Sequence, residues 1–173
     1  VDSGYADTVL LGLTHNYYDS IKPALQVIGK RPNLRTVSGM YIINTKDEPF
    51  FLSDCTVNQN PNAEDLVDIT LQTAEEVRRF KVEPRIALLS HSNFGSVDSS
   101  LSKMVQKAVK MLHRDHPELI VDGEMQANFA LDAELLKESY PFSTLNGKPA
   151  NTLIFPNLAS ANISQRLLLQ TTK

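Results

Sequence analysis

Apolar strand-like segments alternate with helical patterns about five times along this chain, and this alternation constrains the fold more than any other feature. The segment PRIALLS at residues 84–90 is the most informative, because its apolar run is almost uninterrupted. Such a run is typical of a strand with helices against both of its faces. The sequence therefore predicts an α/β fold, with a largely parallel sheet in a three-layer arrangement that has helices on both faces.

Two helices are clearly marked by their ends. Residues 60–80 form an amphipathic pattern, with Asn60 or Asn62 as the cap, acidic residues in the first turn and arginines in the last. A second helix is predicted from about residue 101 to residue 113. Its free amides have three candidate caps, which are Asp98, Ser99 and Ser100.

The remaining strand patterns predict the edges of the sheet. The β-rich runs at residues 38–44 and 49–55 are joined by a short polar connection, which predicts a hairpin at one edge. The apolar run at residues 7–13 predicts a short buried strand near the start of the chain.

Composition limits the classes of function. The 173 residues, 42% hydrophobic and 21% charged, suit one globular domain or two small lobes. The net charge of −3 gives no basic surface for nucleic acid, and the apolar runs are too short to cross a membrane. Cys55 is the single cysteine and no signal peptide is visible, so we expect a cytoplasmic protein without an internal disulfide.

Four loops follow predicted strands, at the edge where open α/β sheets bind ligands. They are THNYYDS at residues 14–20, HSNFGS at 91–96, DGEMQAN at 122–128 and PNLASAN at 156–162. Each combines small, hydroxyl or amide residues with the start of a helix, whose free N–H groups favour anions. They predict a cleft for a phosphate-bearing ligand, although helix capping explains the same residue types. The candidate ligand-binding residues are Thr14, His15, Lys22, Ser90, Ser92, Gly95, Ser96, Asp122, Glu124, Pro156, Asn157 and Asn162.

The residues themselves assign no catalytic group and no metal site. Ser90 and His91 lie outside a G-x-S-x-G turn, and neighbouring strand residues point to opposite faces, so a nucleophile with its base is not predicted. No histidine stands at a metal-ligand spacing from Asp122 and Glu124. These two carboxylates could instead position a ligand hydroxyl or amine, or bind a helix end.

The other histidines and the cysteine have structural interpretations. His91 is predicted to be a hydrogen-bonded structural residue, as is His15. His113 and His116 lie on a charged helix end and are predicted to be solvated. Cys55 ends a strand and is predicted to be a packed thiol without reactivity.

Five segments resemble the phosphate acetyltransferase/butyryltransferase family in their order and spacing: PALQVIG, DCTVNQNPNAEDLVDITLQTAEEVRRF, EPRIALLSHSNFGS, VDGEMQANFALD and IFPNLASANI. The similarity is closer to the version fused to the C-terminus of bacterial hybrid NADP-dependent malic enzymes. It covers nearly all of the chain. It implies the phosphotransacetylase-type architecture shared with isocitrate and isopropylmalate dehydrogenases, of which this chain is mostly the second domain.

The resemblance also implies that residues 1–173 are one phosphotransacetylase-like domain cut from a longer chain. A malic enzyme part and the first part of the transacetylase-like region are then expected upstream. The terminal segment with the SRG motif is expected downstream. NADP and a divalent metal would belong to the absent malic enzyme part, and this domain would hold no cofactor of its own.

The implied function depends on one departure from the family pattern. Phosphate acetyltransferases use arginines to hold phosphate during acetyl transfer to coenzyme A, and Lys22 stands where the family usually has an arginine. Arginine offers a planar fork to two oxygens, whereas lysine is a point charge. The resemblance therefore implies a regulatory, oligomerising domain that senses acetyl-CoA or another phosphorylated metabolite, in a homo-oligomer that is a dimer or larger. The alternatives are an active phosphate acyltransferase and a purely structural dimerisation domain.

Overall fold

The computed structural model describes residues 3–10, 17–32, 34–45 and 48–171. The chain divides into two compact units, Val1–Thr36 and Val37–Lys173. In the first unit, helix α1 spans Tyr17–Val27. This helix includes the pattern that leads into Gly29, a residue with a positive φ of 75° that suits a helix end.

The predicted strand at residues 7–13 is wrong for the part that the structure describes. Residues 7–10 are in no strand, and Val9 and Leu10 are exposed. An apolar run forms a strand only where a neighbouring strand accepts its hydrogen bonds, and no described strand pairs with this segment. Residues 11–13 lie outside the described residues.

The second unit is built on one mixed sheet. Among the described residues its strands are β1 (Met40–Asn44), β2 (Pro49–Ser53), β3 (Arg85–Leu89), β4 (Ile120–Met125) and β5 (Thr152–Ile154). Their order across the sheet is β1-β2-β5-β3-β4. The first two strands form an antiparallel hairpin and the other pairings are parallel. The predicted α/β class, the largely parallel sheet and the hairpin at its edge are confirmed.

The second unit has five helices among its described residues, and two of them begin at caps that the sequence predicts. The five helices are α2 (Ala63–Arg79), α3 (Ser100–Asp115), α4 (Ala127–Leu131), α5 (Ala133–Ser139) and α6 (Leu158–Thr171). Asn62 caps α2 in a reciprocal capping box with Asp65, and Ser99 caps α3 in the same way with Ser102. The structure thereby selects one cap from each predicted set. No helix in the described residues is both long and apolar enough for a membrane span.

Each face of the sheet contributes to a separate apolar cluster. Ile86 and Leu88 of β3 pack in one cluster with buried residues of α2 and α3. The alternating residues Ala87 and Leu89 pack in a second cluster with Ala130, Leu136 and Ala161 of α4, α5 and α6. Because successive side chains of a strand point to opposite faces, this division follows from the uninterrupted apolar run of β3.

Candidate functional site

A cavity of about 300 Å³ opens where β3 and β5 end, and we call it the strand-end cavity. It is lined by the loop residues that follow these two strands and by two serines of α6. Parallel neighbouring strands bring their carboxyl ends to one edge of a sheet, which explains this meeting of distant segments. Three predicted site residues line it, which are Ser90, Pro156 and Asn157. His91, Ser160 and Ser164 line it as well, and the sequence did not predict them as site residues.

The start of α6 gives this cavity polar character. The side-chain Oδ1 of Asn157 accepts a hydrogen bond from the backbone N–H of Ser160 at 2.9 Å, and its carbonyl accepts one from Ala161 at 3.2 Å. The hydroxyl of Ser160 donates to the Asn157 carbonyl at 2.9 Å. The N–H groups of Leu158, Ser160 and Ala161 have acceptors within the chain, so this helix start favours the negative charge of a phosphate through its dipole and not through these groups.

The loop at residues 92–97, which we call the glycine loop, uses its own backbone donors. Every N–H from residue 92 to residue 97 donates to an acceptor within the chain. The acceptors include the hydroxyls of Ser90, Ser92 and Ser96 and two oxygens of Glu124. One of these donors, the Gly95 N–H, meets an anion of the protein itself, and ligand contacts by Ser92, Gly95 and Ser96 stay predictions.

Glu124 supplies that anion. Its side chain is fully buried, and Oε1 accepts hydrogen bonds from the Ser92 hydroxyl at 2.8 Å and the Gly95 N–H at 2.8 Å. The Gln106 side-chain amide donates to the same oxygen at 3.3 Å. Oε2 is buried and has no hydrogen-bond partner among the described residues. The carboxylate joins the glycine loop to α3, a contact between segments far apart in sequence.

Asp122 fixes a different segment. Its Oδ2 accepts from the Ser143 hydroxyl at 2.8 Å and from the Thr144 N–H at 2.9 Å. Gly123 lies between the two carboxylates, and a Cβ there would approach the Leu88 carbonyl oxygen to 2.6 Å, so the close strand contact requires glycine. In the described structure both acids bind loops, and the alternative that they position a ligand hydroxyl or amine stays a prediction.

A larger cavity of about 550 Å³ lies beside β4 at the sheet edge, and we call it the β4-edge cavity. Its wall includes Glu124, Lys110 and Phe142. His113 also lines it; its side chain is exposed, as predicted, and it donates through Nε2 to the Val121 carbonyl at 2.8 Å, a hydrogen bond that the sequence did not predict. An edge strand leaves carbonyls without a strand partner, and a side-chain donor satisfies this one.

The remaining predicted residues lie elsewhere. Thr14 and His15 are outside the described residues. Lys22 lies on α1 in the first unit, with an exposed side chain. Asn162 is exposed on α6 and is not among the residues that line the strand-end cavity. No group of three metal-ligating side chains occurs among the residues that the structure describes.

Cys55 is a packed thiol, as predicted. Its side chain is buried, and this burial, with the nearby Asp54 carboxylate as a second cause, raises the pKa of the thiol from 9.0 to about 12. The thiolate, which is the reactive form, is therefore disfavoured at neutral pH. His91 is exposed and lies 3.4 Å from the Ser99 hydroxyl through its Nε2, a contact that agrees with a hydrogen-bonded structural histidine.

Sequence reasoning missed the role of Asp54, which organises the loop after β2. Its buried carboxylate accepts hydrogen bonds from the backbone N–H groups of Gly39, Thr56, Val57 and Asn58. The side-chain amide of Asn58 donates to it as well. An Asp that precedes a polar turn is a recognised signal for such local bonds, so this one could have been found.

Comparison with known proteins adds a family and several relatives. The model of the family described as phosphate acetyl/butaryl transferase matches residues 1–173. The NADP-dependent malic enzyme of Haemophilus influenzae is 40% identical over 169 residues, which are 98% of this chain and 22% of that protein. The phosphate acetyltransferase of Clostridium acetobutylicum is 35% identical over 177 residues, with coverage of 98% and 53%.

Solved structures agree with the sequence relatives. A phosphotransacetylase from Streptococcus pyogenes superposes with a TM-score of 0.86 at 32% identity, over 93% of this chain and 49% of that one. The EutD phosphotransacetylase from Staphylococcus aureus gives a TM-score of 0.81 at 30% identity, with coverage of 88% and 47%. The chain thus spans about half the length of these phosphotransacetylases and 22% of the malic enzyme.

Proposed function

The chain belongs to the phosphate acetyl/butaryl transferase family, and we propose that it is the regulatory, acetyl-CoA-sensing domain of a malic enzyme. The observation that carries this proposal is the 40% identity, over 98% and 97% of the chain, to NADP-dependent malic enzymes of Haemophilus influenzae and Escherichia coli. Another part of the polypeptide would then oxidise and decarboxylate malate to pyruvate, with NADP and a divalent metal.

The strand-end cavity supports acetyl-CoA as the ligand. Its polar side presents Ser160 and Asn157 at the start of α6, which suits a phosphate group of coenzyme A. Its other wall contains Leu89, Leu101 and Phe155, which suit the apolar part of an acylated arm. A cavity of about 300 Å³ holds a portion of such a ligand, with the remainder outside.

The charges around this cavity favour recognition over acyl transfer. Among the described residues, those that line it include no lysine and no arginine. Transfer of an acyl group between phosphate and coenzyme A develops negative charge, which enzymes stabilise with preorganised cations or donors. An active phosphate acyltransferase is the second candidate, and the 35% identity to the Clostridium acetobutylicum phosphate acetyltransferase favours it.

Control of malate oxidation by acetyl-CoA requires an assembly with at least two states. Acetyl-CoA can control malate oxidation only when it binds two states of the assembly with different affinity. We propose a cytoplasmic homo-oligomer, a dimer or larger, in which this domain provides subunit contacts. We also place its fold in the three-layer isocitrate/isopropylmalate dehydrogenase-like class, a placement supported by the apolar cluster on each face of the sheet.

Activity measurements on the full-length protein test this proposal. We expect acetyl-CoA to change the rate of malate oxidation, and acetyl phosphate with coenzyme A to give no acetyl-CoA. Robust acetyl transfer that is abolished by Lys22→Ala, but kept by Lys30→Ala, would establish the acyltransferase instead. Lys30 is a suitable control because it is another exposed lysine of the first unit. No effect of acetyl-CoA on malate oxidation, and no binding, would leave a purely structural domain.

A further inference from the structure

We propose that Glu124 is a built-in anion that fills the glycine loop in place of a ligand phosphate, and so positions Ser90 and His91 at the strand-end cavity. The second half of this inference rests on the proposed function, because it concerns the same ligand. The first half concerns the chain alone. Neither half follows from the sequence, since the carboxylate is 29 residues from the glycine whose N–H it binds.

The backbone of the glycine loop is unusual at two consecutive residues. Phe94 and Gly95 have consecutive positive φ values of 47° and 90°. This backbone turns two consecutive N–H groups towards one residue, Glu124, although towards different oxygens, and the Gly95 N–H meets the carboxylate Oε1 at 2.8 Å. A positive φ at a bulky residue is strained, so Phe94 needs compensating contacts. Its N–H provides one, by donating to the Glu124 carbonyl at 2.8 Å.

The Glu124 carboxylate lies against this loop and accepts from one of its N–H groups and one of its hydroxyls. A fully buried carboxylate is tolerated only where hydrogen bonds or opposite charge replace its water. Here the three donors to Oε1, from Ser92, Gly95 and Gln106, are all neutral. The same donors would face a bound phosphate if the carboxylate were absent. Glu124 therefore acts as an internal ligand of the loop.

Residues at the end of β4 bind the glycine loop and the two residues that precede it. The Ser90 N–H donates to the Met125 carbonyl at 2.9 Å, and the Gln126 N–H donates to Asn93 Oδ1 at 2.7 Å. The Gln126 side-chain amide also donates to the His91 carbonyl at 2.9 Å. Since Ser90 and His91 line the strand-end cavity, the anchored loop fixes their positions. Glu124 is connected to Ser90 through Ser92, whose hydroxyl donates to Oε1 and whose N–H donates to the Ser90 hydroxyl at 3.3 Å. Glu124 is thus a positioning residue that acts on the ligand through Ser92 and the glycine loop.

Chemical rescue of Glu124→Ala in the full-length protein tests the inference. Acetate has the atoms that this substitution removes, and the adjoining β4-edge cavity offers a route for it. We expect Glu124→Ala to lose hydrogen-exchange protection at the N–H groups of residues 94 and 95. We also expect its affinity for acetyl-CoA to fall about tenfold or more. Millimolar acetate should restore both, whereas acetamide, a neutral molecule of the same shape, should not.

Two further variants make the outcome decisive. Glu118→Ala removes an exposed carboxylate that is 63% accessible, and we expect no loss and no response to acetate. Glu124→Gln keeps one carbonyl acceptor without the charge, so it is expected to fold even when Glu124→Ala does not. It should then show faster exchange at the N–H groups of residues 94 and 95 and weaker binding of acetyl-CoA.

The outcomes separate the two halves. The proposal that Glu124 is an internal anion would be overturned by unchanged hydrogen exchange at residues 94 and 95 in folded Glu124→Ala or Glu124→Gln. Equal rescue by acetate and acetamide would overturn it as well. Faster exchange with unchanged acetyl-CoA affinity would overturn the positioning role alone. If wild-type protein binds no acetyl-CoA, the proposed function and the positioning role fail. Hydrogen exchange at residues 94 and 95, and its rescue by acetate, would still test whether Glu124 is the internal anion of the loop.

Discussion

Asp54→Asn is the substitution whose effect the structure specifies best. One carboxylate oxygen, Oδ1, accepts from the N–H groups of Gly39, Thr56 and Val57, and Oδ2 accepts from the N–H and the side-chain amide of Asn58. An asparagine side chain must point its amide group at one of these two sets. Donor then faces donor, and at least two hydrogen bonds are lost whichever way the amide turns.

The size of the effect follows from the count of lost bonds. A hydrogen bond to a charged group contributes about 1.5–3 kcal/mol, so two of them set a loss of about 3–6 kcal/mol in the free energy of unfolding. Because folded domains are stable by only about 5–15 kcal/mol, this is a large fraction of the total. The side chain of Asp54 is 3% exposed, so water cannot readily replace the missing acceptor.

Urea unfolding followed by circular dichroism measures this loss. With an m-value of about 2 kcal/mol/M, the midpoint should fall by about 2 M. Asp98→Asn is the matched control, because it removes the same charge from a side chain that is 80% exposed and paired with Lys103. We expect that control to change stability by less than about 1 kcal/mol. Equal midpoints for the two variants would refute the reasoning.

Three further predictions concern single residues of the second unit. Ser99→Ala removes the cap of α3 and should cost about 1 kcal/mol in urea unfolding; no change would mean that the capping box contributes nothing. Leu112→Ala empties a fully buried position of the first apolar cluster and should cost about 2–5 kcal/mol in the same assay. Cys55, with its pKa raised to about 12, should resist a thiol-specific disulfide reagent at pH 8 until urea unfolds the chain. Because the unfolded thiol ionises first, its contribution to stability should be lost as the pH rises from 9.0 towards about 12, and Cys55→Ala should lack that component.

The elements that local pattern determines were predictable. The uninterrupted apolar run of β3 indicated a strand covered on both faces, and the hairpin at the sheet edge followed from two β-rich runs and their short connection. The meeting of Ser90 with Asn157 followed from the rule for strand ends in parallel sheets. In each case one segment, or one general rule of topology, carried the information.

The contacts that depend on register across the sheet were not predictable. Glu124 reaches the glycine loop because β3 and β4 are neighbours, with a register shift between Leu88 and Leu89. His113 donates to Val121 because β4 is an edge strand, which only the strand order reveals. The short helix α4 was not predicted, because its first residue follows Gln126, which makes no side-chain capping bond and is not a typical cap residue.

Calorimetric titration of acetyl-CoA into full-length Asn157→Asp, beside the wild type, tests the central claim most directly. Aspartate keeps the cap of α6 but adds a negative charge where a phosphate is expected, and at a few ångströms this should weaken binding about tenfold. The control is Asn44→Asp, an exposed residue that pairs with Pro49 at the opposite end of the sheet. We expect saturable binding that Asn157→Asp weakens and Asn44→Asp leaves unchanged. Equal affinities in all three proteins, or no binding by the wild type, would contradict it.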